Sequence, residues 1–561
     1  MNLLTDNWLP FRKRDGNIVY GPLASIEDPD ILDLALPRAD FQGAAYQWLI
    51  GLLQTAIPPD GYAQWMARLE RGPDAGELAT ALFALGPAFE LDGDGPRFMQ
   101  DLDPLDDAKP APVAGLLIDA PGANGIKNNT DLFIKRGFTE ALCPDCAAIA
   151  LFTMQINAPS GGVGYRVGLR GGGPLTTLIL PESENASLWQ RLWLNVLPVA
   201  HFRKDGESYP SPVADDAALF AWMGPTRESK EKGSAILPDD VHSLHAYWAM
   251  PRRFRLLFTD TACQCDLCGR ESATGVREVL AKNYGANYEG PWLHPLTPYR
   301  IDAKKPEEPP LSSKGQPGGL GYPQWSPLVL PDPDDSGARP ADVVDDFIHG
   351  KCAANWSARE WGDDLELLLK HPRLWAFGYD MDNMKPRCWY SVEMPLIVVP
   401  SEAQERFRAW VQSCTALARQ VAWVTRTQIK AAWFKRPKDA RGDLSTLDLA
   451  FYEATERDFF AVLSRLRQSL QEDDIGKMPP AIAEKWYRDL RSAALRQFEA
   501  QALSAPAGQL NLQRIVAARG QLLAWLAGRG KGAKLINEFA RNNDFELGKA
   551  PAAARNQEEK A

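Results

Sequence analysis

The clearest pattern in the chain lies beyond Pro400, where apolar positions return every three or four residues. Phe407, Trp410, Val411, Cys414, Leu417, Ala418 and Val421 mark one helical face, and Ser401 with Gln404 has capping-box spacing at its start. Three further segments repeat the signature. Residues 447–466 carry Leu447, Phe451, Ala454, Phe459, Val462 and Leu463; residues 480–498 carry Ile482, Trp486, Leu490, Ala494 and Phe498; residues 510–526 carry Leu512, Ile515, Val516, Leu522 and Leu526. Four amphipathic helices most simply bury their stripes together, so the pattern predicts a C-terminal four-helix bundle over 400–545 and a flexible tail over 546–561.

The first 395 residues lack this regularity. Short strand-like runs such as Ile18-Val19-Tyr20 alternate with a helical stretch at 41–50. Residues 120–180 are rich in glycine and asparagine and read as loops around one helix beginning near Cys143. Residues 300–340 hold many prolines without periodicity and read as irregular surface chain. The prediction is an α+β protein: a large mixed α/β domain over 1–395, followed by the helices.

Composition narrows the function classes. The chain has 561 residues, 45% hydrophobic and 24% charged, a globular balance that excludes disordered and collagen-like proteins. Its 62 basic and 72 acidic residues give a net charge of −10, so any nucleic-acid contact must be made by local patches or within a larger assembly. Several of the 18 tryptophans adjoin amides, as in Asn7-Trp8, Gln64-Trp65 and Asn355-Trp356; core filling is the simpler reading of most of them. No run of about 18 apolar residues exists, which excludes a membrane-spanning helix. The opening Met1–Asp6 has no basic or long apolar region, so no secretory signal and a cytoplasmic location are expected.

The strongest chemical signal is a pair of Cys-x-x-Cys knuckles, Cys143/Cys146 and Cys265/Cys268. Four thiolates make a closed tetrahedral zinc site with no open position for water, hence a structural one. The alternative is four unrelated buried cysteines, because 118 residues separate Cys146 from Cys265. Cys263 is a substitute ligand candidate, while Cys352, Cys388 and Cys414 read as core. A glycine-rich run from Ala158 to Gly173 would let backbone amides approach a phosphate or base edge, with Arg166 and Arg170 supplying charge; a plain turn fits equally well. Residues 426–441 carry six cations and one acid interleaved with Trp433 and Phe434, which suits a nucleic-acid backbone or a solvated helix end. No His-Glu-x-x-His, His-x-Glu or Gly-x-Ser-x-Gly is present.

Three strings add more than their physics: Asn2-Leu3-Leu4-Thr5-Asp6-Asn7-Trp8-Leu9-Pro10, Gly168-Leu169-Arg170-Gly171-Gly172, and the run from Phe377 to Tyr390 through Met381-Asp382-Asn383-Met384. With the knuckles, Trp292-Leu293-His294-Pro295 and Tyr452-Glu453-Ala454-Thr455-Glu456-Arg457, the chain resembles the CasA family, the large subunits of type I-E CRISPR Cascade complexes. The resemblance implies a non-enzymatic subunit that reads the protospacer-adjacent motif (PAM) on double-stranded DNA. It would start strand separation, leaving sequence to the guide RNA and cleavage to a recruited helicase-nuclease. It places the family's glycine loop on Gly161, Gly162 and Gly164, and its lysine finger on Lys282 or the adjoining Asn283. Its wedge falls on Asn383 or Met384, with asparagine where the family can carry glutamine. A guide-RNA-proximal loop falls on 127–136, including Lys127, Phe133 and Lys135. Lys430, Lys435, Arg436 and Lys438 are the backbone-contact candidates. Other Cascade subunits, the guide RNA, PAM-bearing duplex and the helicase-nuclease are the implied partners, with no membrane. A subunit anchored on a ribonucleoprotein needs only local cations, and its acidic body would discourage random DNA. The rival reading is a zinc-dependent nucleic-acid hydrolase, which requires an open coordination position and a general base. A third is a purely architectural subunit.

Overall fold

A computed structural model describes residues 1–129, 136–159, 161–203, 209–302, 304–305, 307–315, 319–332, 336–352, 369, 371–382, 385–439, 441–470, 476–504 and 510–547. The chain divides into two compact units, one of Met1–Gln316 with Pro331–Leu396 and one of Pro317–Leu330 with Ile397–Ala561.

The larger unit is built around the helix Ala39–Ala56, which is buried on nearly every face. A helix apolar all round belongs inside a core. Small residues let its neighbours approach: a Cβ on Gly43 would lie 2.7 Å from the Phe377 ring, and one on Gly51 3.1 Å from Tyr247. Around it Trp8, Trp48, Phe89, Phe98, Phe220, Trp222 and Trp248 form a network of edge-to-face and tilted rings. Buried indoles need an acceptor. Trp8 donates to Leu3 O at 2.7 Å, Trp222 to Ala88 O at 2.6 Å, and Trp65 and Trp193 donate to each other's carbonyls. Trp8 and Trp65, beside their amides, are thus core residues.

Short antiparallel sheets surround this core. Thr176–Leu180 and Lys385–Pro395 flank Arg373–Asp382, in a register that pairs Phe377 with Ser391 and Asp382 with Lys385. The strand Thr176–Leu180 lies in the stretch expected to be loop; every residue of it is buried, and a five-residue run of two threonines and three aliphatics gives no helical period. A second sheet sets Gly275–Lys282 between Ala111–Pro112 and Arg253–Thr259.

In the smaller unit the helix Gln404–Trp433 touches each of the helices Ser445–Ser469, Pro480–Ala502, Leu512–Leu526 and Lys534–Asn542. The expected stripe of its first helix is buried throughout. Three details of the expectation fail. Leu512 and Val516 are exposed because Ile515, Ala518, Leu522 and Leu526 form the inward stripe of their helix. Ala454 is exposed while Thr455 is buried. The capping box is not formed: the chain reaches the first helix through a tight turn, Ser401–Ala403, with no side-chain cap.

The proline-rich stretch is not surface chain throughout. Tyr322 and Trp325 are fully buried within the smaller unit, Tyr322 stacked on Phe459 at 4.3 Å with its hydroxyl 2.9 Å from Thr455 Oγ1. Arg419 donates to Pro323 O at 2.8 Å. Proline is tolerated in a first helical turn, where its missing N–H is needed by nothing.

Candidate functional site

The two knuckles, distant in sequence, meet in space. Pro144 opens the helix Pro144–Asn157, and Cys143 caps it, its Sγ accepting from Cys146 N at 3.4 Å. The second knuckle hangs from the small hairpin Cys263–Gln264/Glu271–Ser272 and turns on Gly269, whose φ of +73° suits glycine. Asp266 joins the two, its carboxylate accepting from Glu140 N and Ala141 N at 2.7 and 2.8 Å. Leu142 and Val276 exchange backbone bonds, and Arg270 pairs with Asp145 at 2.7 Å while lying over the Tyr20 ring at 3.7 Å.

The four sulfurs all lie within 4.8 Å of one another. A metal–sulfur bond of about 2.3 Å in a tetrahedron gives a sulfur–sulfur edge of about 3.8 Å. The Cys143–Cys268 pair stands at 3.8 Å. The donor set and spacing therefore fit a metal ion held by Cys143, Cys146, Cys265 and Cys268. With their charges crowded together the four sulfurs do not all ionise unaided: hydrogen bonds from Cys143 and Cys146 lower the Cys268 thiol to about 7 and drive Cys265 further down, while hydrogen bonding within the cluster and burial push Cys143 and Cys146 up, so a cation would have to displace their protons. Cys263 stays outside the cluster, its Sγ against Gly275.

Two elements leave this centre side by side. The helix Pro144–Asn157 runs for about 21 Å and the strand Gly275–Lys282 for about 26 Å, and the two touch. At their far ends they bring the glycine run to the lysine. Gly162 and Gly164 turn the chain at φ +115° and +76°, where other residues are strained. Tyr284 N donates to Gly164 O at 2.7 Å, and Asn283 Nδ2 donates to Val163 O at 2.8 Å. Gly161 and Gly162 are exposed, and so is Val163 at the tip. Buried Gln155 ties this corner together, donating to Met99 O and Arg252 O and accepting from Arg252 N.

The corner's cations are mostly occupied. Arg166 donates to Ser229 at 2.7 Å, and Arg252 lies over Tyr165 at 4.6 Å while donating to Pro159 O. Lys282 is ion-paired with Asp107. Arg170, expected to charge the loop, is instead buried and bonded to Thr176, Thr297 and Gln47. Its desolvation lowers its pKa to about 10.

Lys127 is exposed at the end of the helix Ala123–Lys127, while Phe133 and Lys135 lie outside the described residues. So do Asn383 and Met384, between the paired strands that end at Asp382 and begin at Lys385. Cys388, expected in the core, is exposed, because the strand Lys385–Pro395 turns much of its length outward. The basic stretch divides: Arg426 pairs with Asp448, Lys430 lies on the helix end, and Lys435, Arg436, Lys438 and Arg441 are exposed beyond it. Sequence reasoning missed Asp107, Asp266 and Tyr284. Tyr284 takes a φ of +65° that no motif announces, and both aspartates act through contacts more than 120 residues away.

The structure is similar to the crystal structure of CasA from Thermus thermophilus (18% identity, TM-score 0.65, covering 93% of this chain and 99% of that one). It is similar to Thermobifida fusca Cse1 (17%, 0.66, 97% and 98%) and to a chain of a CRISPR RNA-guided surveillance complex (15%, 0.61, 93% and 99%). At such identities the likeness establishes the fold. The sequence model of the CRISPR-associated protein Cse1 family matches residues 2–497, and on that match the chain belongs to the Cse1 (CasA) family.

Proposed function

We propose that this protein is the large subunit of a Cascade complex and that its glycine corner recognises the PAM on duplex DNA and starts strand separation. The observation that carries the reading is the junction of Gly161–Gly164 with Asn283 and Tyr284, next in sequence to Lys282 and some 120 positions from the glycines, on an exposed turn. Exposed glycine backbone and one cation suit a minor groove, where close approach matters more than a side-chain code. Family membership and the likeness to a chain of a CRISPR RNA-guided surveillance complex support the same assignment. Other subunits and the guide RNA are then the partners, with Lys127, Phe133 and Lys135 facing the RNA. Asn383 or Met384 enters between base pairs as the wedge, at an unstacking cost of about a few kcal/mol per step. Lys430, Lys435, Arg436 and Lys438, on a helical region we read as a four-helix bundle, hold the backbone. The chain would not cleave DNA itself but support recruitment of a helicase-nuclease.

Zinc in the four-cysteine centre would act as a structural clamp, supplying four bonds and no open coordination position. The protein around it does the positioning: the clamp fixes the common origin of the helix Pro144–Asn157 and the strand Gly275–Lys282, and so the register of the loop against the lysine. That arrangement disfavours the hydrolase reading. The test is R-loop formation by the reconstituted complex, with and without this chain, across a library of flanking trinucleotides. Selection and opening that depend on the chain are expected; equal performance without it would refute the proposal, and metal-dependent cleavage by the purified chain would favour the hydrolase.

A further inference from the structure

In the ladder between Arg253–Thr259 and Gly275–Lys282, Lys282 stands directly opposite Arg253. Like charges at facing positions repel. Among the described residues four carboxylates surround the pair, and they are shared unequally. Buried Arg253 takes three: Asp101 at 2.5 Å, Asp103 at 3.2 Å and Glu228. Lys282 has one, Asp107, whose side chain is 78% exposed. Exposed ion pairs are weak and screened by salt, so this partner is replaceable where Asp101, the 1%-exposed partner of Arg253, is not.

We propose that Asp107 is a built-in competitor for Lys282, which a DNA duplex must displace before it can engage the lysine. The proposal rests on the glycine corner being the duplex-engaging site and adds what restrains it. A bare lysine docking on DNA releases a condensed counterion. Lys282 arrives already paired, so its contact with a phosphate must first break the ion pair with Asp107, and the affinity it adds is reduced by that cost. Asp107 thereby sets a threshold. It weakens every duplex that uses Lys282 by the same factor, and ligands with further contacts along the glycine loop stay above it. The acids that guard this corner also give the chain's negative charge a local role.

The test is duplex binding by the full chain assembled with its guide-RNA complex, titrated from about 50 to 200 mM salt. The probe is a labelled duplex carrying the preferred flanking trinucleotide. The variants are Asp107→Asn, Lys282→Ala, the two together, and Asp106→Asn. The last removes the same charge from the next residue, which is exposed and makes no contact with Lys282. Asp107→Asn should bind about two- to fivefold tighter at low salt and make binding more steeply salt-dependent, since salt already screens the pair in the parent. Asp106→Asn should shift both by less than half as much, and the double variant should match Lys282→Ala. If Lys282→Ala weakens binding while Asp107→Asn behaves like Asp106→Asn, the competitor is refuted and the corner stands. If Lys282→Ala leaves binding unchanged, the reading of the corner fails and the competitor with it.

Discussion

The helix Pro144–Asn157 and the strand Gly275–Lys282 share both their ends, and the two ends are opposites. At the origin four sulfurs crowd together under Asp266 and Arg270, buried or nearly so, with short bonds joining one knuckle to the other. At the terminus the glycines are exposed, one lysine rests on one exposed carboxylate, and a side-chain amide pins the loop. The difference teaches how a loop can stay adaptable and still be aimed. Rigidity is concentrated where side chains are buried and bonded and delivered along two stiff elements to a place where the backbone is exposed.

The comparison can be broken most severely at the closed end. Cys143→Ser, or stripping the parent protein with a chelator, should abolish metal content and lower Tm by roughly 10 °C or more, since binding energy at such a site is folding energy. Elemental analysis with calorimetry checks this, and duplex affinity should fall with it because both ends hang on the same elements. Asp266→Ala should keep the metal yet cost about 1.5–3 kcal/mol of stability, from the loss of two charge-assisted hydrogen bonds at the junction of the knuckles. Denaturant titration beside metal analysis separates the two effects. At the open end Lys282→Ala should leave Tm unchanged within error and weaken binding of the assembled complex about tenfold, or about 1.4 kcal/mol. Gly164→Ala should give the smallest change, a few-fold loss of affinity with metal retained. Its φ of +76° strains an added Cβ, which would also meet Asn283 and Tyr284 at 3.0 Å.

What could be read in advance follows the same contrast. The closed end was legible because thiolate chemistry demands a fixed ligand type at a fixed short spacing, and it appears twice. The long gap between Cys146 and Cys265 obscured only that one knuckle starts a helix and the other a hairpin. The helices beyond Pro400 were legible from their period, down to Trp486 and Leu490, but the period misjudged Leu512 and Val516, where apolar residues occupy both faces. At the open end the glycine run could be singled out from its composition, but its association with Lys282 came only through the family resemblance. Glycine carries no pattern, and Lys282 is one lysine among many until the ladder sets it against Arg253. Arg170 shows the converse: a cation in a glycine-rich run looked available for a ligand, and the fold commits it to Gln47, Thr176 and Thr297. Burial of that kind is decided by chain segments more than 100 residues away.

The central claim is that the glycine corner touches the duplex, and a photo-crosslink tests it most directly. Val163, 77% exposed at the loop tip, is replaced by benzoylphenylalanine in the assembled complex, with Phe83, 78% exposed elsewhere in the same unit, as the matched control. Irradiation with a labelled target should attach the label to the Val163 variant at the flanking motif and not to the Phe83 variant. Equal labelling of both, or labelling of neither while the complex still opens its target, would contradict the account.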